Sequence, residues 1–81
     1  MKPINVGLLG IGTVGSGTWD VLQRNADEIE RRAGRGIRIS RVADKDLSRA
    51  RKIVGTKAKI TSDGFEVVRA RDIDIVVELI G

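Results

Sequence analysis

The chain has 81 residues, 41% hydrophobic and 32% charged, with a formal net charge of +4 at pH 7. That bounds it to one small globular domain at most, and its apolar runs fall well short of the ~20 residues a membrane-spanning helix needs. Cysteine and histidine are both absent, which excludes disulfides, thiolate metal sites and a histidine general base; no metal site is expected, and a cytoplasmic setting is. Arginine supplies most of the positive charge, interleaved with acidic residues. With Trp19 and Phe65 as the only aromatics, no stacking platform for bases exists, so no nucleic-acid partner is expected.

Met1-Lys2-Pro3 run straight into an apolar stretch, Ile4 to Leu9, that reads as a strand, so neither a leader peptide nor a membrane partner is expected. The strand opens onto Gly10-Ile11-Gly12-Thr13-Val14-Gly15, a G-x-G-x-x-G run. Such a run between a strand and a helix is a dinucleotide-binding fingerprint. Gly10 permits the tight turn, Gly12 allows a pyrophosphate to approach the backbone, and Gly15 lets the helix pack on the strand. The N–H groups and dipole at the helix start attract phosphate. Thr13 offers a hydroxyl or its N–H to the pyrophosphate. Val14 offers an N–H and packs its side chain beneath the nucleotide.

The spacing of Leu22, Ala26, Ile29 and Ala33 predicts one long helix from Thr13 or Val14 to Ala33, ended by Gly34 and Gly36. A second strand covers Ile37 to Ala43. Its alternation puts Ile37, Ile39, Arg41 and Ala43 on one face and Arg38, Ser40 and Val42 on the other, incompletely, as near a sheet edge. Asp44 ends this strand, where an acidic residue takes the adenosine ribose hydroxyls. Lys45 beside it admits a 2′-phosphate as well, so NAD and NADP both remain open.

Asp46 is an expected N-cap for a helix over Leu47 to Val54, stopped by Gly55. Ala58-Lys59-Ile60 forms a short third strand. Ser62 or Asp63 caps a further helix to about Ala70. The β-branched run from Ile73 to Ile80 reads as a strand buried on both faces. Its outer edge is unpaired where a further strand of a doubly wound sheet belongs. Glu78 is the carboxylate toward the carboxyl end of this strand. A strand carboxylate paired with a cation is its commoner role, ahead of catalysis.

The β-α-β-α-β-α-β order gives the fold class: α/β, a Rossmann-type parallel doubly wound sheet, incomplete, with residues 1–81 as the amino-terminal part of a dinucleotide-binding domain. A stand-alone nucleotide-sensing module without catalysis is the alternative on the same fold.

Four features together resemble homoserine dehydrogenases: Val6-Gly7-Leu8-Leu9-Gly10-Ile11-Gly12-Thr13-Val14-Gly15-Ser16-Gly17, then the long polar helix with Asn25 and Ile29, then Val42-Ala43-Asp44-Lys45-Asp46, then Val76-Val77-Glu78-Leu79-Ile80-Gly81. The resemblance implies an oxidoreductase that interconverts aspartate semialdehyde and homoserine with NADP or NAD, on the route to threonine, methionine and isoleucine. It implies that Gly10, Gly12, Thr13, Val14 and Gly15 cradle the dinucleotide and that Asp44 and Lys45 meet the adenosine ribose or its phosphate. Ile80 and Gly81 would line the nicotinamide end. The family's catalytic residues belong to later segments, so no residue here inherits a catalytic role and this chain alone is expected to be inactive. The small-molecule substrate would be bound, and a homo-oligomer formed, by the full-length enzyme.

Overall fold

The computed structural model describes residues 2–79. Its elements are β1 (Ile4–Leu9), α1 (Thr13–Arg24), α2 (Ala26–Ala33), β2 (Ile37–Ala43), α3 (Leu47–Val54), β3 (Lys59–Thr61), α4 (Gly64–Arg69) and β4 (Ile75–Glu78). The four strands form one parallel sheet in the order β3-β2-β1-β4. Chain order runs outward from β1 to β3, then returns to β4 on the other side of β1. That reversal is a topological switch point, and ligands of open α/β sheets bind outside the strand ends there.

Helices cover both faces. Val6 and Leu8 of β1, Ile39 and Val42 of β2, Trp19 of α1, and Ala50 and Val54 of α3 form one core with Ile11. Burying a side chain the size of Leu8, which is wholly buried, contributes about 1.5–3 kcal/mol. Gly7 points to the opposite face, because successive residues of a strand alternate. A Cβ there would fall inside 3.0 Å of a Val67 methyl of α4, and 3.2 Å from Ile73. The missing side chain of Gly7 is what lets α4 lie close to the sheet.

In three places the molecule departs from what the sequence alone predicts. The long first helix is two helices. At Asn25 the backbone relaxes to φ −106° and ψ 13°. Its side-chain amide donates to the Val21 carbonyl at 2.8 Å, alongside its own backbone N–H at 3.0 Å. Such competition for backbone groups is why asparagine is a poor helix-interior residue. The α2 helix buries no residue, so Ala26 and Ala33 do not extend an apolar face. It carries Asp27 and Glu28 in its first turn and Arg31 and Arg32 in its last, matching the helix dipole. Both arginines pair with Glu28, and Gly34 closes the helix at φ 74°.

The second departure is in β2. Val6 pairs with Ile39 but Gly7 pairs with Arg41, so Ser40 is an extra residue in the ladder. Such a bulge reverses the parity of everything after it. Val42 therefore joins Ile39 in the core, while Arg41 leaves the Ile37 and Ile39 side and pairs with Asp72 at 3.0 Å. That guanidinium, first through its hydrogen bonds, holds the Asp72 carboxyl below its ordinary value.

The third departure is β4. Among the described residues Ile75 and Val76 are exposed, where the sequence predicts burial on both faces, while the unpaired outer edge is as predicted. The predicted caps are found: Asp46 accepts from Arg49 N–H at 3.0 Å, and Asp63 from Phe65 N–H at 2.9 Å. Among the described residues no helix is long and apolar enough to cross a membrane.

Candidate functional site

The carboxyl ends of β1, β2 and β4 are tied together by main-chain bonds. Gly10 N–H donates to Ala43 O at 2.8 Å, and Leu79 N–H to Leu9 O at 2.9 Å. Between them lies a cleft of about 280 Å³ lined by Gly10, Gly12, Ala43, Asp44, Lys45, Arg49 and Leu79. It sits at the switch point that the strand order defines.

Each fingerprint glycine has its own physical reason. Gly10 has φ 94°, a left-handed conformation that costs other residues roughly 1–2 kcal/mol. Gly15 is buried, and a Cβ there would fall inside 3.0 Å of the Gly10 carbonyl oxygen and 3.1 Å from its carbon. Closeness of α1 to the loop thus depends on Gly15. Gly12 is different: its φ is −67°, and nothing lies within 4 Å of the place a Cβ would take. Neither strain nor internal packing calls for glycine at that point, and the space it leaves opens onto the cleft.

Gly12 is also the N-cap of α1, with no side-chain cap and no acidic residue in the first turn. The helices α3 and α4 both have an aspartate there. The first N–H groups of α1 are therefore left for an acceptor from outside, the arrangement that suits a phosphate. A dinucleotide pyrophosphate fits this cradle by charge and by the room over Gly12. Thr13 and Val14 lie in that first turn. The Val14 side chain is 64% exposed, so it packs beneath nothing in the chain itself.

Asp44 is placed otherwise than a ribose acceptor alone would be. Its side chain is only 6% exposed. Oδ2 accepts from Ile11 N–H at 2.8 Å, Oδ1 from Asp46 N–H at 2.8 Å, and both from Arg49 Nη2 at 3.1 Å. Burial pushes its carboxyl up, but the two backbone N–H bonds and the Arg49 guanidinium outweigh that and hold it below its ordinary value. The carboxylate thus clamps the glycine loop, through buried Ile11, to the start of α3. Arg49 lines the cleft; from sequence it reads, with Asp46, Lys52 and Lys57, as solvated surface that could also approach a 2′-phosphate. Its signal was available: it lies one helical turn beyond the Asp46 cap, on the side of the Asp-Lys pair. Lys45 is exposed at the rim. Ile80 and Gly81 lie outside the described residues. Glu78 stands opposite Leu9 at the end of β4 and does not line the cleft.

Comparison with known proteins agrees with this geometry. The family model described as homoserine dehydrogenase, NAD binding domain, matches residues 10–81. A homoserine dehydrogenase of Methylobacillus glycogenes is 64% identical over the whole chain, which spans 20% of that protein. One from Neisseria gonorrhoeae is 53% identical, again over the whole chain and 18% of the relative. Among solved structures, a homoserine dehydrogenase from Thiobacillus denitrificans superposes with a TM-score of 0.88 at 57% identity, covering 99% of this chain and 18% of that one. The Staphylococcus aureus enzyme at pH 7.5 also gives 0.88, at 33% identity, covering 100% of this chain and 20% of that one. The chain thus spans about a fifth of the length of these relatives. With its fingerprint loop, its switch-point cleft and a family match running from Gly10 onward, it belongs to the NAD-binding domain family of homoserine dehydrogenases.

Proposed function

We propose that this segment is the amino-terminal part of the cofactor-binding domain of an oxidoreductase that interconverts aspartate semialdehyde and homoserine. The observation that carries the reading is the open, uncapped start of α1 over Gly12, inside a cleft at the sheet's switch point. In this reading the N–H groups of Gly12, Thr13, Val14 and Gly15 hold the pyrophosphate of NAD or NADP. Gly10 shapes the turn, and Asp44, Lys45 and Arg49 surround the adenosine ribose. The family resemblance gives Ile80 and Gly81 the nicotinamide end. When bound, the nicotinamide supplies or takes up the hydride. The segment's own groups bind and orient it. Among the described residues Asp44 is the carboxylate that lines the cleft, and it is held ionised and covered. Substrate binding, catalytic side chains and subunit contacts of a homo-oligomer come, in this proposal, from the part that the longer relatives carry in addition.

The test is calorimetric titration of the full polypeptide carrying this segment with NADH and NADPH, paired with homoserine oxidation followed through the absorbance of the reduced nicotinamide. Binding together with turnover is expected. Binding without turnover on homoserine would favour a nucleotide-sensing module. No binding of either dinucleotide would overturn the reading altogether.

A further inference from the structure

A second polar groove lies at the other end of the sheet from the cleft. Its volume is about 420 Å³, and Lys2, Arg35, Arg38, Arg71, Asp72 and Asp74 line it. Separate stretches of chain bring these residues together. Lys2 precedes β1, Arg35 lies between α2 and β2, Arg38 is in β2, and Arg71 to Asp74 lead into β4. The sheet sets their spacing: Asn5 of β1 pairs with Arg38 of β2, and Asp74 N–H donates to Asn5 O at 2.8 Å. These are the amino ends of the strands, whereas the glycine loop and its cleft stand at the carboxyl ends.

The charges in this groove are oriented but not neutralised. Arg35 Nε donates to Lys2 O at 3.0 Å, and Arg38 Nη2 donates to Asn5 Oδ1 at 3.3 Å. Both acceptors are uncharged. Among the described residues Lys2, Arg35, Arg38 and Arg71 form no ion pair, whereas Arg31, Arg32, Arg41, Arg49 and Arg69 each do. The two carboxylates at the groove leave this imbalance standing. Asp72 uses both oxygens on Arg41, at 3.0 and 3.3 Å. Asp74 Oδ2 accepts from Asn5 N–H at 2.8 Å. With Asp72 matched by Arg41, four cations face the one remaining carboxylate, a surplus of three positive charges. Like charges gathered on a small area repel, so an anion that bridges them gains Coulomb energy from each.

We infer that this groove is an anion site, separate from the cleft at the glycine loop, and that its ligand carries a phosphate group. A guanidinium has five N–H donors in a planar fork that matches phosphate oxygens. Arg35 keeps both Nη nitrogens for a ligand, Arg38 keeps Nε and Nη1, and Arg71 keeps the whole group. A single carboxylate answers one of the surplus charges. A phosphate close to its dianionic form answers two and takes charge-assisted bonds from several sides at once. The groove volume is within the roughly 300–1,000 Å³ of small-molecule pockets and exceeds what a bare phosphate fills, so a phosphate ester fits as well as the free ion. Once bound, the anion ties the start of the chain, the turn before β2 and the link before β4 into one unit.

Calorimetric titration of the full polypeptide with inorganic phosphate and with ribose 5-phosphate tests the inference, at constant ionic strength and with excess NADPH present to occupy the cleft. Saturable binding of at least one of them is expected. Arg38→Gln and Arg71→Gln should each weaken it by ~10-fold or more, the scale of a lost charge-assisted contact. Tighter binding of ribose 5-phosphate assigns the groove to a phosphate ester, and the reverse order assigns it to the free ion. A heat no larger than sodium chloride gives at equal ionic strength, or unchanged affinity in both variants, would overturn the inference. Both arginines are exposed, so the variants should fold. If either does not, the wild type decides: phosphate must protect Arg38 and Arg71 from phenylglyoxal, read by mass spectrometry of their peptides. Equal modification with and without phosphate would strike out the site.

Discussion

Replacing Gly12 and Gly15 separately by alanine divides the fingerprint into a ligand-facing part and a structural part. At Gly15 the new Cβ would fall inside 3.0 Å of the Gly10 carbonyl oxygen and 3.1 Å from its carbon. Both are backbone atoms that no rotamer change can move, so α1 must shift away from the loop. Overpacking of this kind costs about 1–3 kcal/mol. Alanine's better helix propensity returns roughly 0.5–1 kcal/mol, leaving a net loss of up to about 2.5 kcal/mol. At Gly12 nothing lies within 4 Å and φ is −67°, so alanine fits. Its poorer capping and its lower unfolded-state entropy oppose each other, each by less than about 1 kcal/mol. Stability should therefore stay within about ±0.5 kcal/mol. The same Cβ stands where a pyrophosphate must approach, and a clash of about 1–3 kcal/mol there weakens dinucleotide binding by roughly 5- to 150-fold. Urea unfolding gives the first quantity and calorimetric titration the second. Equal destabilisation by both substitutions, or unaltered dinucleotide affinity in Gly12→Ala, would refute this division of labour.

Other outcomes follow from the same contacts. Gly7→Ala sets a Cβ against Val67 of α4 and should lower the urea midpoint by an amount equivalent to about 1–3 kcal/mol; Gly7→Ala with Val67→Ala should recover part of that loss. Asp46→Ala removes the acceptor for Arg49 N–H and should cost about 1 kcal/mol in the same assay. Asp44, held below its ordinary value in the folded chain, contributes stability that is fully present above its unfolded value, near ~3.9. That contribution is lost as pH falls through the lower folded value. Urea midpoints of wild type and Asp44→Asn should differ clearly at neutral pH and converge in strong acid. A difference that persists unchanged in acid would show that charge is not what Asp44 contributes.

What could be read from the residues was the local chemistry. The strand Ile4 to Leu9, the glycine turn and the helix over Leu47 to Val54 all carry their signals within a few neighbours, as do the caps Asp46 and Asp63. The structure has each of them in place. What could not be read depends on partners distant in sequence. The bulge at Ser40 exists only as a register between β1 and β2, so the alternation in β2 alone misassigns Arg41 and Val42. The saturation of Asp44 requires Ile11, a residue 33 positions away, and turns an expected ribose acceptor into a clamp. The unpaired outer edge of β4 was legible from the β-α-β-α-β-α-β order, and the strand order has it. The division at Asn25 is the exception. An acidic start at Asp27 and Glu28 and a basic end at Arg31 and Arg32 are signs of an independent helix, and they were legible.

That division separates two mechanical roles along one stretch of chain. The α1 helix is anchored by Trp19 and by the close fit of Gly15, and its first turn must hold its place to within fractions of an ångström. The α2 helix has no buried side chain and leans on charge pairs at its own surface, so it opens at a small fraction of the free energy that holds the sheet together. Fraying, cleavage or an inserted residue beyond Asn25 should therefore disturb the phosphate loop little, which amide hydrogen exchange along α1 would check. The chain thus has a stretch of its surface where sequence can drift, or a label be attached, at no expense to the geometry of the glycine turn.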